Sequence, residues 1–201
     1  MTRREILTRL EAALSGGGDP SSDFDLNPDV VLPEGRRLRP AGVLVAFTDL
    51  GADGASLLLT KRSSALKHHP GQIAFPGGKV EDGDSGVVAA ALREAREEVG
   101  LPAGAARVLG TLPVHETVTS FAVTPVLAWI ERPFVPVAEP GEVAEVFSVP
   151  FAHVADPARY RVESRRWRGV RRHYYTAPFG PYYIWGATAR ILRGLAARLA
   201  A

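Results

Sequence analysis

The sequence predicts an α+β fold, an α/β/α sandwich in which a mixed β-sheet is flanked by helices. Three observations indicate this fold. Short apolar, β-leaning runs are concentrated between residues 41 and 150, one strongly amphipathic helix interrupts them at residues 86–99, and another closes the chain at residues 186–200. No internal repeat divides the 201 residues, so we expect one domain with a terminal extension.

The first 40 residues are predicted to lie outside the main domain. Residues 2–14 form an amphipathic helix, residues 15–23 a glycine- and serine-rich linker, and residues 24–40 an irregular, proline-punctuated segment. The apolar residues at helical spacing are Ile6, Leu7, Leu10 and Leu14. The predicted division is therefore between an extension of residues 1–40 and a domain of residues 41–201.

Alternation of apolar runs with turn residues predicts the strands of the sheet. Residues 41–47 and 55–60 form two strands joined by a hairpin-type loop, and residues 61–78 form a long loop with a short strand at 72–75. The later strands are predicted at residues 106–116, 120–130, 142–150, 171–177 and 182–185, with a short helix at 151–156.

The helix at residues 86–99 has the clearest boundaries. Asp84 or Ser85 can cap its N-terminus, Gly100 suits the left-handed position after its C-terminus, and Pro102 prevents its continuation. In the closing helix the residues expected to face inward are Ile191, Leu192, Leu195 and Leu199.

The composition, 46% hydrophobic and 23% charged residues, is that of an average globular domain. A net charge of +2 is too small to argue for a nucleic-acid partner. The absence of cysteine excludes disulfides, thiolate metal sites and a cysteine nucleophile. The N-terminus alternates charged and apolar residues, and no run of about 18 apolar residues exists, so we expect neither a signal peptide nor membrane association, and a cytoplasmic location.

Three glutamates, Glu94, Glu97 and Glu98, lie on one turn of the predicted helix. At about 100° per residue they fall roughly opposite the apolar stripe. That stripe consists of Val88, Leu92, Ala95 and Val99. Like charges three and four residues apart weaken a helix, whereas shared hard cations such as Mg²⁺ or Mn²⁺ make such a cluster favourable. A solvated charged face with arginine partners is the alternative interpretation of the helix alone.

The loop before the helix favours a metal site. The sequence FPGG at residues 75–78 predicts a tight turn whose glycines expose backbone carbonyls and amides. A carbonyl beside the carboxylates would be a further metal ligand, and amides at this position can approach a phosphate. Arg93 can orient one carboxylate through a bidentate pair.

The run resembles the Nudix box, G-x5-E-x7-R-E-U-x-E-E-x-G-U, in which U is a bulky apolar residue. The residues that match its second half are Arg93, Glu94, Glu97, Glu98, Gly100 and Leu101, with Ala95 in the apolar slot. The first half departs from the box, since Asp84 replaces its first glutamate and eight residues, not seven, separate Asp84 from Arg93. We expect this departure to affect the local cap and not the chemistry, with Glu81 or Asp82 replacing the missing glutamate.

Residues 58–78 are similar to the additional signature of coenzyme A pyrophosphatases within the Nudix group, L-L-T-x-R-S-x3-R-x3-G-x3-F-P-G-G. The matching residues are Leu58, Leu59, Thr60, Arg62, Ser63, Gly71, Phe75, Pro76, Gly77 and Gly78. Lys67 stands where arginine is usual, which keeps the positive charge but loses the bidentate fork.

The resemblance implies a Nudix fold and a metal-dependent hydrolase that cuts coenzyme A into 4′-phosphopantetheine and 3′,5′-ADP. It implies Mg²⁺ or Mn²⁺ held by Glu94, Glu97, Glu98 and the carbonyl of Gly78. Either Glu94 or Glu98 would accept the proton of the attacking water, and Arg93 would orient Glu94. The alternatives are another Nudix substrate, such as ADP-ribose or a dinucleoside polyphosphate, and a non-catalytic Nudix-like binding module.

The resemblance also implies residues that contact the substrate. Arg62 and Lys67 would hold phosphates, and Glu142 would lie on the metal or substrate side, with a solvent-exposed acid as the alternative. Glu116 could approach the metals from a loop. The remaining aromatic and histidine candidates, expected to pack in the core or to lie exposed in loops, are His68, His69, Tyr182, Tyr183 and Trp185.

The segment 159–175 is strongly basic. Three interpretations are ranked in decreasing order of preference. They are a solvent-exposed edge, a site for the 3′-phosphate of coenzyme A, and a contact for RNA or DNA. Because the sequence shows no aromatic stacking platform, we expect a small-molecule substrate and no nucleic acid. A homodimer through either terminal helix remains open.

Overall fold

A parallel pair of long strands lies at the centre of the molecule. In the computed structural model, which describes residues 1–32, 34–51, 54–167 and 169–201, β2 (Arg39–Gly51) pairs in parallel with β8 (Phe121–Ile130) and antiparallel with β3 (Gly54–Arg62). Shorter strands complete a mixed sheet that has nine strands within these ranges. They are β1 (Ser21–Ser22), β4 (Ile73–Ala74), β5 (Gly77–Lys79), β6 (Ala106–Thr111), β7 (His115–Glu116) and β9 (Val143–Pro150).

Helices cover both faces of this sheet. Side chains along a strand alternate between the two faces, and both sets of side chains in β2 are apolar, so each face needs a covering layer. Val45 and Phe47 of β2 lie in one core with the helices α1 (Arg3–Ser15) and α4 (Ala187–Ala200). Leu44 and Ala46 lie in a second core against α2 (Val87–Val99). A short helix, α3 (Phe151–Val154), follows β9. The predicted α/β/α sandwich with a mixed sheet is confirmed.

A two-stranded hairpin lies outside the main sheet. It consists of β10 (Arg161–Trp167) and β11 (Val170–Thr176), paired antiparallel. The predicted strand at 171–177 therefore exists, whereas β10 was not predicted, because every residue in it is exposed and no apolar alternation marks it. The predicted strand at 182–185 forms only two isolated bridges, Thr176 with Trp185 and Phe179 with Tyr182.

Two further segments differ from the prediction. The strand predicted at 106–116 is divided into β6 and β7, and Pro113, which lies between them, has no N–H to continue a ladder. The predicted linker at residues 15–23 contains β1, which pairs in parallel with β7. The division of the chain at residue 40 remains a prediction. In the described residues, no helix has the length and apolar character needed to cross a lipid bilayer.

The predicted C-terminal boundary of α2 is confirmed, whereas its predicted N-terminal cap is not. Gly100 adopts a left-handed conformation, with φ of 69°, and its N–H donates to the carbonyl of Arg96. At the N-terminus Gly86 is the capping residue, and no side chain caps the helix. Neither Asp84 nor Ser85 has the predicted capping role. The Asp84 carboxylate is held elsewhere, by the side chain of Arg93 and the backbone N–H of Glu81.

Candidate active site

Three carboxylates meet at one edge of α2. Glu94 and Glu98 come from the helix and Glu142 from the residue before β9, and each offers an oxygen within 4.8 Å of the others'. Glu142 reaches the helix because β9 pairs with β3, and because the N–H of Glu139 in the same loop donates to the carbonyl of Glu98 at 3.0 Å. We call Glu94, Glu98 and Glu142 the acidic cluster.

Glu98 is buried, which differs from the prediction that all three helix glutamates lie opposite the apolar stripe. Its exposure is 4%, because the loop of residues 75–78 folds over this side of the helix. The N–H of Gly77 donates to Glu98 Oε2 at 3.1 Å. Sequence periodicity cannot detect this burial, since it follows from the packing of a loop and not from the helix itself.

Gly78 leaves the space that the Glu94 carboxylate occupies. A Cβ built on Gly78 would lie 2.2 Å from Glu94 Oε1, well inside van der Waals contact. Any side chain here would therefore displace that carboxylate. Gly78, which is predicted to offer its carbonyl to a metal, is thus placed beside the acidic cluster.

We expect Gly78→Ala to reduce turnover about tenfold with little loss of stability. The added methyl group meets the end of a flexible side chain, so Glu94 can move aside and the fold is retained. Steady-state kinetics and a thermal melt measure the two effects. Gly83→Ala is the matched control, because a Cβ there meets no heavy atom within 4 Å. Normal kinetics for Gly78→Ala would contradict the proposed position of the Glu94 carboxylate.

Arg93 joins four groups around the cluster. Its Nε and Nη2 donate to the two oxygens of Asp84 at 3.1 and 3.0 Å, and Nη2 also donates to the carbonyl of Lys79 at 3.1 Å. Its Nη1 donates to Glu94 Oε1 at 3.1 Å and to Glu97 Oε2 at 3.0 Å. These hydrogen bonds lower the pKa of Asp84 and raise that of Arg93. The predicted contact between Arg93 and Glu94 is therefore present.

Asp84, and not Glu81 or Asp82, provides the carboxylate that the resemblance required before the helix. Both of its oxygens accept from Arg93, and the N–H of Glu81 adds a third hydrogen bond. The side chain of Glu81 instead forms an ion pair with Lys79. The aspartate therefore reaches Arg93 with eight residues between them, where the Nudix box has seven.

Glu97 is placed apart from the acidic cluster. Its side chain is 52% exposed, and its carboxylate accepts from Arg93. The structure thus brings Glu142 to the two other helix glutamates in place of Glu97. The predicted role of Glu97 as a metal ligand stays a prediction.

The acidic cluster carries an unfavourable concentration of negative charge. Burial, with smaller contributions from the nearby charges of Glu94 and Glu142, raises the pKa of Glu98 to about 7 despite the lowering effect of the Gly77 N–H. Burial likewise raises the pKa of Glu94. Three carboxylate oxygens this close together match the preference of Mg²⁺ and Mn²⁺ for oxygen ligands. The residues present therefore fit a divalent cation.

We expect the stability of the metal-free protein to fall between about pH 4.5 and 7 because of Glu98. Below this window the carboxyl is neutral in both the folded and the unfolded state. Above it the carboxyl is ionised in both, and the buried charge destabilises the fold by an amount on the order of 3 kcal/mol. Urea denaturation in EDTA should show this decline for the wild type and a smaller decline for Glu98→Gln. Parallel pH profiles for the two proteins would contradict it.

The loop that follows β3 lies against the acidic cluster. The N–H of Ser63 donates to the carbonyl of Glu142 at 2.8 Å. Arg62 lies close enough for its charge to lower the pKa of Glu98, and its buried Nε has no hydrogen-bond partner in the described part of the chain. Lys67, farther along the loop, is exposed. Arg62 is therefore placed beside the carboxylates, and the phosphate-binding role of Lys67 stays a prediction.

Other candidates are engaged elsewhere. Glu116 forms an ion pair with Arg36, and it is not part of the acidic cluster. Tyr182 packs face to face on Phe147, with ring centroids 3.6 Å apart, which agrees with the predicted packing role. Partial desolvation of the His69 imidazole, with the charge of Arg62, lowers its pKa in the loop after β3.

Comparison with known proteins identifies the family. The Nudix domain matches residues 38–171. The chain belongs to the Nudix family.

Close relatives of this Nudix protein carry the same family name. An uncharacterized Nudix hydrolase, NudL, of Cronobacter sakazakii is 43% identical over 161 residues, which cover 80% of this chain and 83% of that protein. NudL of Escherichia coli O7:K1 is 42% identical with the same coverage. The solved Nudix hydrolase RenU of M. smegmatis is 27% identical, with a TM-score of 0.48 over 60% of this chain and 74% of that chain. The protein is thus a Nudix hydrolase, as the resemblance implied, and Nudix hydrolases generally use divalent metal ions.

Proposed function

We propose that this Nudix hydrolase cuts coenzyme A, or one of its derivatives, at the pyrophosphate to give 4′-phosphopantetheine and 3′,5′-ADP. The observation that supports this substrate is the position of the signature of residues 58–78. Its first part ends at Arg62 beside Glu98, and its last residues, Gly77 and Gly78, contact Glu98 and Glu94. A sequence feature that resembles coenzyme A pyrophosphatases therefore surrounds the acidic cluster.

Glu94, Glu98 and Glu142 would hold the divalent cation, with the carbonyl of Gly78 and the Glu97 carboxylate as additional candidate ligands. When bound, Mg²⁺ or Mn²⁺ neutralises the charge of the pyrophosphate, which otherwise repels a nucleophile. Arg62 would bind a phosphate oxygen through its guanidinium group. Arg93 fixes the orientation of Glu94 through their 3.1 Å hydrogen bond.

The chemical step is hydrolysis of a phosphoric anhydride. A water oxygen forms a new bond to one phosphorus while the bond from that phosphorus to the bridging oxygen breaks, and the second phosphate leaves with the bridging oxygen. Glu98 is the favoured acceptor of the water's proton, because the Gly77 N–H fixes one of its oxygens beside the other carboxylates. Glu94 remains the alternative acceptor.

Product analysis tests the substrate. The protein is incubated with Mg²⁺ or Mn²⁺ and, in parallel, with coenzyme A, ADP-ribose or a diadenosine polyphosphate, and the products are identified by mass spectrometry. We expect 3′,5′-ADP and 4′-phosphopantetheine from coenzyme A. Turnover of ADP-ribose alone would show that coenzyme A is not the substrate, and the reaction would still be hydrolysis of a phosphoric anhydride. No turnover of any substrate would favour a non-catalytic binding module.

We expect Arg62→Ala to raise the KM for coenzyme A about tenfold or more, because a charged hydrogen bond to phosphate is lost. Steady-state kinetics measure this effect. Lys61→Ala is a matched control, since Lys61 is the exposed neighbour of Arg62 on the same strand. Equal KM values for the two variants would show that Arg62 does not contact the substrate.

A further inference from the structure

The segment that includes β10 and β11 concentrates the positive charge of the protein. Residues 159–175 contain seven arginines and one glutamate, whereas the rest of the chain carries 17 basic and 21 acidic residues. The hairpin formed by β10 and β11, which we call the basic arm, is therefore strongly positive on an otherwise acidic protein. Every residue of β10 is exposed, so the charge of the arginines on this strand faces solvent.

The arginines of the basic arm face one another across its two strands. Arg165 is paired with Arg172, and Arg166 with Arg171. Like charges at directly opposite positions destabilise a hairpin, so stability of the arm alone does not account for them. The buried Nε of Arg172 also has no hydrogen-bond partner among the described residues. A ligand with regularly spaced negative charges would relieve this repulsion between the opposed guanidinium groups.

Aromatic rings lie among these arginines. Arg165 lies over two indole rings, 5.4 Å from the centroid of Trp167 and 5.6 Å from that of Trp185. Tyr174 packs edge-to-face on Trp185 at 5.3 Å, and Tyr183 donates its hydroxyl to Glu163 at 2.6 Å. We call Trp167, Tyr174, Tyr183 and Trp185 the aromatic platform. Trp167 is 53% exposed and Tyr183 43% exposed, so ring surface remains available.

The sequence places Trp167 and Tyr174 within the basic segment, but only the fold brings Trp185 beside them. Trp167 and Tyr174 come from the two strands of the arm, and Trp185 is brought beside them by its bridge to Thr176. The side chain of Asn27 holds the same edge, since it both donates to and accepts from the backbone of His173 at 2.9 and 2.8 Å. The expectation of no nucleic-acid partner rested on the absence of stacking aromatics, and the fold supplies them.

We propose that the basic arm binds single-stranded nucleic acid, with phosphates on its arginines and unstacked bases on the aromatic platform. Arginine next to exposed aromatic rings is the chemistry by which proteins bind single strands without sequence preference. Seven strand residues extend about 24 Å, which is long enough for several nucleotides. A single small nucleotide would instead favour a concave site that buries most of its surface.

Fluorescence anisotropy of a fluorescein-labelled 12-nucleotide oligouridylate tests the proposal with the full-length protein. We expect binding at 50 mM salt that weakens about 50-fold at 200 mM, as four phosphate contacts would give. The double variant Arg165→Ala/Arg172→Ala should bind at least tenfold more weakly, and Trp167→Ala about fivefold or more. Circular dichroism verifies that the variants are folded.

Two comparisons distinguish the proposal from other uses of the arm. Arg4→Ala/Arg37→Ala removes the same charge from exposed positions elsewhere, and we expect it to bind within twofold of wild type. Coenzyme A hydrolysis by the arm variants should also stay within twofold. The proposal is overturned by no binding at 50 mM salt, or by equal loss in the Arg4/Arg37 variant. It is also overturned if the arm variants bind oligouridylate as the wild type does and alter another property instead. Those properties are the KM for coenzyme A, binding to phosphatidylserine vesicles, and the sedimentation of a dimer.

Discussion

Glu98→Gln is expected to lower turnover about 10³- to 10⁴-fold while the protein remains folded. Glutamine has nearly the shape of glutamate, so its amide oxygen can still accept from Gly77. It cannot accept a proton from water, and it removes one charge from the acidic cluster. Single-turnover kinetics with saturating substrate and Mn²⁺ measure the loss in the chemical step.

Stability provides the internal control for Glu98→Gln. Because burial raises the pKa of Glu98 to about 7, the metal-free variant should be at least as stable as the wild type at pH 8. Glu131→Gln is a matched control at a half-exposed site in ion pairs with Arg3 and Arg107, and it should keep normal turnover. A Glu98→Gln enzyme with turnover within tenfold of wild type would place the essential carboxylate elsewhere.

Arg93→Ala is the second substitution with a large expected effect, about 100-fold on turnover. It frees the carboxylates of Asp84, Glu94 and Glu97, which Arg93 now holds with four side-chain hydrogen bonds. Arg93 is a positioning residue, so the loss should appear in Mn²⁺ affinity as well as in turnover. Calorimetric titration with Mn²⁺ and steady-state kinetics measure the two quantities.

The conservative variant Arg93→Lys separates positioning from charge. Lysine retains the positive charge but not the planar fork that bonds Asp84 and Glu94 together. We expect it to restore the thermal stability that alanine loses and to recover only part of the turnover. Full recovery by lysine would mean that charge alone is required, and unchanged Mn²⁺ affinity in Arg93→Ala would contradict the positioning role.

The sequence predicted those parts of the site that depend on local spacing. The period of α2 gave its apolar face, in which Ala95 and Val99 are buried while Val88 and Leu92 are half-buried against the same core. The motif gave the contact between Arg93 and Glu94. The position of Glu142 depends on the pairing of β3 with β9, which brings together residues about 80 positions apart from one strand to the next. No local pattern carries that information, so Glu142 was one of several candidate acids until the fold was known.

The burial of Glu98 and strand β10 of the basic arm were missed for different physical reasons. Glu98 is buried by the loop that contains Gly77, an interaction outside the periodicity of the helix. In the basic arm, β10 buries no face against the main core, and therefore lacks the alternation by which strands are detected. The aromatic platform likewise combines residues from three separate segments.

The binding of Mn²⁺ to the acidic cluster tests the central claim most directly. Electron paramagnetic resonance detects free Mn²⁺, so its titration into the protein at pH 8 gives the affinity without any substrate. We predict that Glu98→Gln and Glu142→Gln each weaken binding at least tenfold and that Glu131→Gln leaves it unchanged. Wild-type affinity in both cluster variants would show that these carboxylates do not hold the cation, and would contradict the account.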